Sequence, residues 1–95
     1  MTAPPMTDLT PSPDVLAAHL SGEAVLLHMG TKRYFRLNGT GAEVWKGIEA
    51  GESTEAIVHR LMERFDVSEQ EARAETARFC ESLQSAGLLA PREQP

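Results

Sequence analysis

Apolar positions along the chain change their period once, near residue 38. Before that point they come in short runs between turn residues; after it they recur every three or four positions. Val15–Leu20 (VLAAHL) is short and apolar and reads as a strand or as a helical turn. Ser21, Gly22 and Glu23 supply a turn. Ala24–Met29 (AVLLHM) is a short apolar run flanked by turn residues, a length that favours a strand over a helix. The sequence GTKR from Gly30 is a second turn signal, and Tyr34–Leu37 (YFRL) is rich in aromatic residues. Strands of this spacing joined by short polar turns predict an antiparallel hairpin.

From Asn38 the pattern becomes helical. Asn38 and Gly39 suit a sharp turn, where positive φ is tolerated. Thr40 followed by Glu43 is expected to form a capping box, the hydroxyl accepting from the third helical N–H and the carboxylate reaching back. Ala42, Val44, Trp45 and Ile48 then recur at helical spacing, and Gly51 suits a left-handed residue past the helix end. Ser53 is the next N-cap. Behind it, Ile57, Leu61, Met62 and Phe65 share one face, with Val58 beside them. Ser68 and Glu71 form a second expected capping box. The third helix places Ala72, Thr76, Phe79, Cys80 and Leu83 on one face, and Gly87 ends it. Leu88 and Leu89 are expected to pack back as a short closing segment. The predicted order is three strands followed by three helices.

Outside this pattern the chain is expected to be loose. Residues 1–13 carry four prolines with Thr, Ser and Asp, the composition of a flexible arm. The domain is then expected over 14–90, with residues 91–95 as a fraying tail. Ninety-five residues suit one domain with one modest core. The net charge of −5 argues against a nucleic-acid partner, because phosphates are bound by clustered Lys and Arg. No apolar run approaches the roughly 18 residues of a membrane span. Nor does the N-terminus pair a basic stretch with an apolar one, as a secretion signal would. A cytoplasmic location is expected.

Candidate chemistry is sparse. Cys80 is the single cysteine, so neither an internal disulfide nor a multi-cysteine zinc site can form. Its helical neighbourhood reads as a small buried hydrophobe. His19, His28 and His59 fall on different elements, with no metal-ligand spacing and no nucleophile–base pairing. Glu69, Glu71, Glu75 and Glu81 read as a solvated helix face. Gly39–Gly41 is too short, and lacks the following Lys, for a phosphate loop. No cofactor is expected.

The segment from Lys32 to Leu37 remains. Side chains alternate along a strand, so either Phe35 and Leu37 or Tyr34 and Arg36 face the helices. Phe35 and Leu37 are expected inside, against Trp45 and Ile48, because Leu37 is anchored by the following turn and Arg36 must reach water.

The stretch VLLHMGTKRYFRLNGTGAEVWKGIEAGES resembles the PqqD-like family, the precursor-peptide recognition domains of ribosomal peptide biosynthesis. The shared pattern is an apolar strand, a turn, an aromatic strand ending in Leu37-Asn38, then Thr40-Gly41 and an apolar–Trp pair, Val44-Trp45. The later helices match as well, over roughly Val15 to Leu89. The aromatic RYFRLN is most similar to the stand-alone recognition proteins of lasso-peptide biosynthesis, the pyrroloquinoline quinone protein being the alternative. The resemblance implies an α+β, winged-helix-like fold, a three-stranded antiparallel sheet packed on three helices. It implies a non-enzyme that takes a leader peptide as an added strand and presents it to a leader peptidase and a macrocyclase. The implied site lies between the third strand (Lys32, Arg33, Tyr34, Phe35, Arg36 and Leu37) and the third helix (Arg73, Thr76, Ala77 and Cys80). The three cations would attract acidic leader residues, and Thr76 and Ala77 would leave room for a bulky one. A DNA-binding winged helix, a Cys80 thiol enzyme and a dimer through an open sheet edge are the competing expectations.

Overall fold

Two tight turns fold the first half of the chain into a meander. In the computed structural model, which describes residues 9–91, β2 (Val15–Leu20), β3 (Glu23–His28) and β4 (Arg33–Asn38) form one antiparallel sheet in the order β2-β3-β4. The first turn is two residues, Ser21 and Gly22, with Gly22 at φ 73, the left-handed backbone that short hairpin loops demand. The second, from Met29 to Lys32, is tied by its own strand. The His28 Nδ1 atom accepts from the N–H groups of Gly30 and Thr31 at 3.1 and 3.2 Å, and Lys32 N–H donates to the His28 carbonyl at 2.7 Å. Val15–Leu20 is thus a strand, and nearly all of it is exposed.

Three helices cover one face of this sheet: α1 (Thr40–Glu49), α2 (Thr54–Arg64) and α3 (Glu69–Ser85). The core is built on α1. Trp45 and Val44 are fully buried with Leu26 and Ala24 of β3, Leu37 of β4 and Ile57 and Leu61 of α2. The Trp45 indole N–H is satisfied one turn along its own helix, donating to Glu49 at 2.8 Å. Glu49 also meets the His19 imidazole at 2.8 Å, which ties β2 to the end of α1. The opposite face of the sheet has no covering layer among the described residues, and Leu16, Leu20 and Tyr34 are exposed there.

Several sequence expectations are corrected. Thr40 and Glu43 do not form a capping box. The N-cap is Gly39, at φ 55 and ψ −128, with no side-chain cap, a backbone that only glycine adopts cheaply. With Thr40 already inside the helix, its hydroxyl donates instead to Glu75 of α3 at 3.4 Å. Glu43 is buried and turns toward α2, where Arg64 lies at 3.5 Å and Arg60 at 4.0 Å. On α2 the buried residues are Ile57, Val58 and Leu61, while Met62 is exposed and Phe65 half-buried. The apolar stripe is rotated toward Val58 because α2 packs on both α1 and α3. Leu9–Pro11, expected in a flexible arm, is a strand (β1) paired antiparallel to β5, Leu89–Pro91. Leu9 packs on the core and Ser12 N–H donates to the Leu88 carbonyl at 2.9 Å. A two-stranded ribbon accepts prolines that a central strand would not. The rest of the expected arm and tail lies outside the described residues.

The Ser53 and Ser68 caps are present as expected, the second as a full box with Glu71. Gly41 is required by packing. A Cβ there would sit 2.1 Å from Phe79 Cζ, so the ring of α3 occupies the space beside the first turn of α1. Gly41→Ala is expected to lose about 1 to 3 kcal/mol in urea denaturation. Its cost should shrink in a Phe79→Leu background, and simple additivity in that double-mutant cycle would refute the contact. Ser68→Ala is expected to lose about 1 kcal/mol. The Ser68 backbone N–H, and after it the hydroxyl, hold the Glu71 carboxyl below its ordinary value of 4.5. The folded chain therefore binds fewer protons than the unfolded one there, and Glu71's contribution, present above 4.5, is lost as pH falls below it. Glu71→Gln should flatten the acid limb of a stability–pH curve; an unchanged limb would show that other groups set it.

Candidate functional site

β4 is an edge strand. β3 occupies one side of it, and its other backbone edge pairs with no strand among the described residues. A strand edge of this kind offers free N–H and C=O groups to an extended chain. Beside that edge, α3 leans mainly on α2, α1 and β5, and an open groove of about 370 Å³ separates its last turns from β4. Arg33 and Phe35 line the groove from the strand, and Glu81, Ser82, Ser85 and Ala86 from the helix. The Arg33 guanidinium stands 5.6 Å from the centroid of the Phe35 ring, a cation–π arrangement. On the α3 wall, Ser82, Ser85 and Ala86 are small and Glu81 is acidic.

The alternation expected along β4 is present. Leu37 is 8% exposed and belongs to the core, and Phe35 is half-buried against it. Tyr34 is 72% exposed, on the face away from the helices. Arg36 shares that face and lies 3.7 Å from Glu23. The structure thus separates the strand candidates: Arg33 and Phe35 border the groove, Lys32 stands in the turn just before it at φ 63, and Tyr34 and Arg36 point elsewhere. On α3, Arg73 bridges helices, meeting Glu55 at 2.7 Å and Glu69 at 2.8 Å. Those two carboxylates raise its already high pKa, and Arg73 in turn lowers that of Glu55. Thr76 is buried and its hydroxyl donates to the Ala72 carbonyl at 2.8 Å. Cys80 is buried as well, and Ala77 is exposed without lining the groove.

The helix residues that do line it were missed in the sequence. Ser82, Ser85 and Ala86 continue the face one to two turns beyond Ala77 and Arg78. The legible signal was small residues at a spacing of three, next to the buried stripe that ends in Leu83.

Other chemistry is weakly represented. A second recess, of about 110 Å³, is lined partly by His19, Glu23, Lys46 and Arg64, but Lys46 and Arg64 both serve Glu43. On α2, Arg60 is held by Glu52 and Glu43, so this helix presents no free basic face to phosphates. Among the described residues, no group of three or more His, Cys, Asp or Glu could hold a metal ion, and no helix is long and apolar enough to cross a membrane. Burial pushes the Cys80 thiol up to about 11, which leaves it protonated at neutral pH. Native protein should therefore alkylate with iodoacetamide at least about tenfold more slowly than protein in urea; equal rates would mean an exposed, reactive thiol.

Known proteins share this fold. One similar solved structure is TbiB1 in complex with the TbiA(beta) leader peptide. It shares 29% identity and a TM-score of 0.81, over 90% of this chain and 99% of that one. A second is a lasso peptide synthetase B1 complexed with the leader peptide, at 24% identity and a TM-score of 0.80, over 88% and 99%; at that identity the likeness concerns the fold. Curated protein sequences return no match. The family model described as coenzyme PQQ synthesis protein D (PqqD) matches residues 23–89, from the first residue of β3 to the first of β5, and the chain is a member of that family.

Proposed function

We propose that this chain binds the leader region of a ribosomally made precursor peptide and presents it to processing enzymes in a lasso-peptide-type pathway. The observation that carries the reading is the unpaired edge of β4 lying beside an open groove. An extended peptide adds to such an edge by backbone hydrogen bonding, which gives affinity, and inserts alternate side chains beside it, which gives selectivity. Arg33 and Phe35 on one wall, and Ser82, Ser85 and Ala86 on the other, are the side chains in reach. The complexes described for the two similar structures, each with a leader peptide, support the same use here. Covalent steps then belong to partners, a leader peptidase and a macrocyclase, and this chain supplies binding and orientation.

Fluorescence-polarisation titration tests this reading, with labelled peptide tiles from short reading frames neighbouring the gene. One tile is expected to bind with submicromolar affinity. Ser82→Trp and Ser85→Trp, both at exposed positions, fill the groove and should weaken that binding at least about tenfold, the equivalent of ~1.4 kcal/mol. Tyr34→Ala with Arg36→Glu, on the far face, should leave it nearly unchanged. Binding lost in the far-face variant and kept in the groove variants would move the site; no binding by any tile would refute the reading.

A further inference from the structure

Backbone pairing alone cannot place a peptide on β4. A slip of two residues restores every ladder hydrogen bond and returns each side chain to its face. Some side-chain contact at a fixed point must set the register.

The distribution of ion pairs singles out such a point. Arg36, Lys46, Arg60, Arg64, Arg73 and Arg78 each have a carboxylate within 4.0 Å. Lys32 and Arg33 have none among the described residues, although acidic side chains outnumber basic ones in the chain, 14 to 9. The two are adjacent, at the head of β4. The turn holds Lys32 through its bond to the His28 carbonyl. Stacking on Phe35 orients the Arg33 guanidinium along the groove wall without neutralising it. A planar guanidinium held in this way is suited to take a carboxylate through two parallel hydrogen bonds. The facing wall carries the opposite sign. Glu81 lines the groove, also without a cation within 4.0 Å among the described residues. An acidic ligand side chain is therefore repelled from the helix wall and attracted to the strand wall.

We infer that Arg33, assisted by Lys32, captures an Asp or Glu side chain of the bound peptide and so fixes the register of the added strand. This inference rests on the peptide-binding reading above and adds the chemistry of the ligand to it: an extended segment with one acidic residue at a set distance from its groove-filling residue.

Selection from a phage-displayed library of random peptides, about fifteen residues long, tests it with the full chain as bait. Wild-type protein should enrich peptides with Asp or Glu at one position relative to a bulky residue. Replacing that acid by Ala should weaken binding about tenfold or more, as expected for a charge-assisted hydrogen bond. Bait carrying Arg33→Glu should lose the acidic preference and enrich Lys or Arg at the same position, whereas Arg33→Lys should keep it in weakened form. Enriched peptides without an acidic position, or with the same one on the Arg33→Glu bait, would overturn the inference while leaving peptide binding intact. A library that yields no enriched peptide on wild-type bait would overturn both.

Discussion

The seat of the Phe79 ring on Gly41 is the constraint from which the site follows. A single residue, Gly39, separates β4 from α1, so whatever rests on the first turn of α1 is held near the strand. The ring fills the place of a Cβ, and the Thr40 hydroxyl meets Glu75 one helical turn away. α3 is thereby fixed at its middle. Its last turns run past the head of β4 without settling onto it, and the groove is the space that remains. Leu83 and Cys80, on the buried side of the same helix, hold α3 to the core.

The stability of the molecule is carried mainly away from the groove. Trp45, Val44 and Ile48 of α1 anchor the core, and charged ties lock α2 to its neighbours: Glu43 with Arg60 and Arg64, and Glu55 with Arg73. The buried face of α3 is comparatively narrow, formed by Ala72, Thr76, Cys80 and Leu83. The helix can therefore present Glu81, Ser82 and Ser85 outward with little loss of packing. Of the side chains that line the groove, Phe35 and Ala86 also pack against the core, whereas the exposed Arg33, Glu81, Ser82 and Ser85 contribute little to the fold.

Much of this was legible in the sequence because it depends on local rules. Ser53 and Ser68 each supply a hydroxyl just ahead of an apolar repeat and cap the helix that follows, and Leu37 points inward as alternation together with the following turn and the need of Arg36 for water favoured. What was not legible depends on distant partners. Glu43 has the spacing of a capping residue, but the glycine N-cap releases it and two arginines some twenty residues on capture it. Met62 and Val58 are equally apolar, and the packing of α2 on two helices at once chooses Val58. Leu9–Pro11 carries no strand signal of its own and takes its order from Leu89–Pro91. The groove was legible in its strand and misplaced on its helix, since an empty space leaves no apolar mark in a sequence. The family resemblance pointed to this strand and could not show that Thr76 and Cys80 are buried on the core side of α3.

The β1–β5 ribbon also has an architectural consequence. Leu9 lies opposite Pro91, so the described chain starts and finishes at one point on its surface. A domain fused ahead of Leu9 or behind Pro91 would be tethered at the same corner, and its reach toward the groove would be set by linker length rather than by the choice of terminus. The same closure would allow a circular permutant, with a short bridge across the ribbon and new ends opened in the exposed turn between Leu20 and Glu23.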